Sequence, residues 1–146
     1  MTAQPSASPE LTGARGGVFA AAKVLTALFV LGALVSFFLA GLGTFGLSGP
    51  VDDAAASSSL NPHRMLGEIL FALALLILVL VAIARPGGRA LKLAAALFVL
   101  MLVQYGLGQA GAGVHVLGGL HALNALFVTG AAFGLASATG ALRKPH

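Results

Sequence analysis

Three histidines, His63, His115 and His121, carry most of the chemistry available to this 146-residue chain, the fourth, His146, being terminal. Imidazole is the commonest metal ligand, and ionisable groups inside a bilayer are costly enough that they usually mark function. At 100° per residue, His63, Gly67 and Ala74 fall within about 40° of one line. Gly118, His121, Ala125 and Ala132 form a similar, slightly broader stripe. A histidine with small residues above and below it leaves room beside its helix for something flat and bulky. A porphyrin fits that description, and two neutral imidazoles can ligate its iron from opposite faces. Tight helix packing explains the small residues equally well, because Gly and Ala line membrane-helix interfaces. His115 points to a different face from His121 and is the rival ligand.

The other polar residues are few. Arg64, next to His63, is placed either to pair bidentately with a propionate carboxylate or to snorkel to water. Glu68 sits more than a turn inside its helix, so its cost predicts an inward orientation, with Gln104, Tyr105 or Asn124 as partners. Gln104 and Asn124 read as interhelical hydrogen-bond partners. Cysteine is absent, which excludes disulfides, thiolate metal sites and cysteine nucleophiles. No phosphate-binding loop, zinc-protease helix or serine nucleophile elbow occurs.

These residues need elements to position them. The chain is 58% hydrophobic and 8% charged, with a mean hydropathy of +1.00, whereas soluble domains carry roughly 25% charged residues. That composition predicts an all-α integral membrane protein. Four apolar runs, each near the ~20 residues that cross a hydrocarbon core, predict helices over about 18–45, 63–85, 90–108 and 114–137. They make one four-helix antiparallel membrane domain spanning 18–139. Residues 1–17 read as a disordered cytoplasmic tail and 140–146 as a second one. Asn61 and Pro62 read as the N-cap and first residue of the second helix. Arg15, Lys23, Arg85, Arg89, Lys92, Arg143 and Lys144 fall on one side, while Asp52, Asp53 and Arg64 fall on the other. Positive-inside bias then puts both termini in the cytoplasm and the histidines near the external face of the plasma membrane. Eight cations spread over so apolar a chain make no nucleic-acid patch.

The order of three segments resembles one four-helix half of the haem A synthase family. They are His63-Arg64-Met65-Leu66-Gly67, Gln104-Tyr105-Gly106-Leu107-Gly108 and Leu120-His121-Ala122-Leu123-Asn124-Ala125. The resemblance covers about 62–127 and implies that His63 and His121 are axial ligands of a b-type haem. It departs from the family at Leu60, where the catalytic half carries an acidic residue, and Glu68 lies about 140° around the helix from His63. The chain also has half the family's length. Haem A synthase activity is therefore not expected, nor is an autonomous enzyme.

The resulting expectation is a cytochrome b-like protein with haem b bound by His63 and His121. Arg64, Gly67, Gly118 and Ala125 line the site, and His115 is the alternative ligand. Its work is electron transfer or haem handling. Expected partners are the lipid bilayer, a second copy in a homodimer, or respiratory-chain or haem-pathway membrane proteins. The competing expectation is a non-haem structural or accessory subunit whose histidines make interhelical hydrogen bonds. A transporter needs a longer polar path than Glu68, Gln104 and Asn124 provide. One geometric demand accompanies the haem reading. His63 opens its helix while His121 lies ~10 Å along its own, so the second helix must project beyond the fourth or the helices must tilt.

Overall fold

The computed structural model describes residues 13–46, 55, 58–111 and 114–142. They form α1 (Gly13–Phe45), α2 (Asn61–Ala84), α3 (Gly88–Ala110) and α4 (His115–Thr139). Each helix is long and apolar enough to cross a membrane, and no strand occurs among the described residues. The expected all-α, four-helix membrane bundle is what the chain forms. In hydrocarbon a backbone must satisfy its own hydrogen bonds, and these apolar runs do so as helices.

Two boundaries differ from expectation. Residues 13–17 belong to α1 rather than to a tail, because Arg15 is tied to the neighbouring helix. Its Nε and Nη2 donate to the Ala84 carbonyl at 3.2 and 2.9 Å, covering an acceptor left over at the end of α2. Asn61 is not the N-cap. Leu60 holds that position, Asn61 and Pro62 are inside the helix, and no side chain caps it. The preceding turn instead lies against Gly43, where an added Cβ would stand 2.7 Å from Leu60 Cδ2 and 2.8 Å from the Ser59 carbonyl oxygen. Asp52, Asp53, residues 1–12, Arg143, Lys144 and His146 lie outside the described residues.

The helices run alternately up and down around a square, with α1 beside α2 and α4, and α3 beside α2 and α4. The diagonal pairs stay apart, with no Cα of α2 within 8 Å of α4, nor of α1 within 8 Å of α3. Phe29, Ile77, Val81, Leu97 and Leu135 fill the centre and are fully buried. Gly32 lets α1 and α2 close up, since a Cβ there would meet Leu70 Cδ2 at 2.8 Å. Outside, large apolar side chains such as Phe38, Ile69, Val116 and Leu126 are 60–71% exposed. So large an apolar outer surface suits lipid and not water. Phe71 joins α2 to α3 through rings 5.8 Å from Phe98 and 5.5 Å from Tyr105.

Candidate functional site

The site lies where α1 and α3 end and α2 and α4 begin. His63, on the first turn of α2, is level with Ser36, more than two turns before α1 ends at Phe45. The mouth of α2 is thus walled by α1. The predicted offset between the two histidines is overcome, because the His63 and His121 rings meet across the α2–α4 diagonal. Their centroids are 6.1 Å apart and their planes cross at 78°.

Each ring is held from the adjacent helix. His63 Nδ1 lies 3.0 Å from the Ser36 carbonyl oxygen and 3.0 Å from Ser36 Oγ. A carbonyl only accepts, so Nδ1 carries a proton and, in the neutral ring, Nε2 carries the lone pair. The same reasoning fixes His121 through a longer chain of bonds. Asn124 Nδ2 donates to the Leu100 carbonyl at 3.0 Å and to Gln104 Oε1 at 2.7 Å. The Gln104 amide is thereby oriented so that its Nε2 donates to His121 Nε2 at 3.0 Å. His121 Nδ1 in turn donates to the Gln104 backbone carbonyl at 3.1 Å. His121 is therefore neutral, with its lone pair on Nε2. Both rings give Nδ1–H to a backbone carbonyl, the arrangement that orients imidazoles toward metals. Gln104 and Asn124 are interhelical hydrogen-bond partners, as expected, and among the described residues no buried side-chain nitrogen or oxygen lacks a partner.

A cavity of about 170 Å³ is lined by both rings. Gly67 and Ala125 line it, with Phe37, Gln104 and both histidines. A Cβ added at Gly67 would meet nothing within 4 Å. Gly118 does not line the cavity. It sits on the first turn of α4 beside the end of α3, where a Cβ on Gly111 would come 3.4 Å from its amide nitrogen. Arg64 and His115 are exposed and outside the lining, so the structure brings His121, and not His115, to His63. Glu68 is exposed too, which corrects the inward orientation expected for it. It lies well round α2 from His63, and Gln104 and Asn124 already satisfy one another.

Several residues of the site were not anticipated, and Ser36 and Gly108 matter most. Ser36 holds His63. Gly108 permits His121 to lie against α3, since a Cβ there would stand 3.2 Å from His121 Cε1. Among the described residues no third His, Cys, Asp or Glu joins the pair. Residues 36–113 match the model of a family of unknown function, DUF6220, a span that includes Ser36, His63 and Gln104 but not His121. No curated protein and no solved structure matches the chain.

Proposed function

The chain belongs to the DUF6220 family, and we propose that it is a small multi-pass membrane protein binding a b-type haem between His63 and His121. The observation that carries this reading is the approach of two imidazoles from diagonal helices to 6.1 Å. With metal–nitrogen bonds of ~2 Å, two imidazoles that would share one metal ion would have ring centres at about this separation. A pair of protein ligands suits a metal whose other positions are filled by its own macrocycle. Without cysteine, the attachment is non-covalent.

When bound, the haem supplies one-electron redox chemistry. The chain's own residues hold and shape the site. His63 and His121 offer Nε2, the Ser36 and Gln104 carbonyls hold the rings, and Gly67 and Ala125 keep the walls bare. The cavity, about 170 Å³, is smaller than the 300–1,000 Å³ common for ligand sites. Occupancy therefore requires the walls to widen and the Gln104 amide to release His121 Nε2. Arg64, at the same end, is the residue to pair with a propionate. The cation bias supports both termini being cytoplasmic in the plasma membrane, with the site near the external face. The function is electron transfer or haem handling with a membrane partner, and not haem A synthesis.

The test is a reduced-minus-oxidised spectrum of the purified full chain given haem. A sharp alpha band is expected, lost in His63→Ala and His121→Ala and kept in His115→Ala. A folded preparation without the band overturns the reading. A second reading, a structural or accessory subunit, is favoured by one observation: Gln104 already engages both ring nitrogens of His121. It predicts that the same substitutions alter stability or assembly and no chromophore.

A further inference from the structure

We propose that the opposite, arginine-bearing end of α1 and α2 is a binding site for an anionic phospholipid. A groove of about 580 Å³ there is lined by Arg15, Arg85, Val79, Ala82 and Ile83. Val79, Ala82 and Ile83 share one face of α2 at helical spacing, and Val79 and Ile83 are 44% and 54% exposed. They make an apolar wall on the outer surface of the bundle, and the two guanidinium groups stand at its end. A phospholipid has the same order of chemistry, an acyl chain and then a phosphate.

Arg15 is held in position rather than left to sweep through solvent. Its Nε and Nη2 donate to the Ala84 carbonyl, and the residue lines the groove. A guanidinium has five donors in a fixed fork, so it can cap a carbonyl and meet a phosphate together. Arg85 leaves α2 in the left-handed region, at φ 51° and ψ 52°, and its side chain completes the rim. Among the described residues the sole carboxylate, Glu68, is near the other end of α2, so none of them offsets these two charges. Basic pockets at the cytoplasmic ends of membrane helices are suited to anionic headgroups.

The proposal is independent of the haem reading and is tested on the full chain by native mass spectrometry. Phosphatidylglycerol and phosphatidylcholine are the probes, with inorganic phosphate as competitor. Arg85→Gly removes one guanidinium and keeps a residue that adopts the left-handed turn. Lys92→Gln removes a charge at the same end but outside the groove. The expected result is retention of phosphatidylglycerol over phosphatidylcholine, weakened about fivefold by Arg85→Gly and unchanged by Lys92→Gln. Equal retention of the two lipids, or equal weakening by the two substitutions, overturns the proposal. Displacement of the lipid by inorganic phosphate also overturns it, by showing a site for the free ion.

Discussion

The two ends of the bundle are built from the same apolar residues and packed to different standards. At the arginine end Ala22, Ile77, Val81, Ala84, Ala94, Leu97, Leu135 and Ala136 are fully buried, and the charges lie outside. At the histidine end Ser36, His63, Gln104, His121 and Asn124 bond one another between the helices, while Arg64, Glu68 and His115 stay exposed. Asn124 is 8% exposed, Met101 and Val128 keep slight exposure, and a cavity divides the diagonal helices. The difference shows how a bundle this small tolerates an opening in its interior. One end is closed by jigsaw packing, and the helices it clamps carry the other end apart, bridged by hydrogen bonds between neighbours.

The comparison is broken most directly by truncating one leucine at each end. Leu97 is fully buried, so Leu97→Ala leaves a void among close-packed neighbours and costs about 4 kcal/mol. Leu70 is nearly as buried but lines the cavity, so it already lacks partner atoms on one side. Leu70→Ala costs about 2 kcal/mol, the low end for such substitutions. Reversible unfolding of both variants in mixed micelles measures the difference. Equal costs would mean that the histidine end is packed as tightly as its opposite.

Filling the cavity separates binding from folding. A Cβ at Gly67 meets nothing within 4 Å and the residue lines the cavity, so Gly67→Leu puts apolar volume into the cavity and leaves both imidazoles in the chain. Haem affinity is expected to fall at least about tenfold, roughly 1.4 kcal/mol, with no loss of thermal stability. Haem titration followed by absorbance, beside a melting curve, reads both. Undiminished affinity would place the cofactor elsewhere than between His63 and His121.

The architecture was legible because hydropathy and the sidedness of the cations act over whole segments. What escaped the sequence depends on single contacts between helices. The start of α1 was placed late because the partner of Arg15 is the Ala84 carbonyl, distant in the chain. Glu68 was expected inside by the cost of a carboxylate in lipid, although its angle from His63 already pointed outward. The helix wheel was the better guide, since the His63 face is the one turned to the cavity. Ser36 was missed because hydroxyls in apolar helices commonly bond their own preceding turn. Thr26, Thr44, Thr129 and Thr139 do so here, to Ala22, Ala40, Ala125 and Leu135. Gly118 was grouped with His121 by a stripe too broad to resolve which side of α4 faces the cavity.

The smallest effect concerns the closed end, where one residue departs from ideal geometry. Among the described residues Arg85 is the one non-glycine with positive φ, at 51°, and it terminates α2 through its amide, which donates to the Val81 carbonyl. The left-handed conformation costs a residue with a Cβ roughly 1 kcal/mol and glycine nothing. Arg85→Gly and Arg85→Ala remove the same charge and the same side-chain contacts. Their difference in stability therefore isolates the backbone term, with the glycine variant more stable by about 1 kcal/mol, less the entropy glycine gains on unfolding. Unfolding in micelles free of anionic lipid measures that difference without interference from headgroup binding. An alanine variant as stable as the glycine one would mean that the turn after α2 relaxes out of the left-handed region. The Arg85 side chain would then no longer be set by the backbone at the rim of the groove.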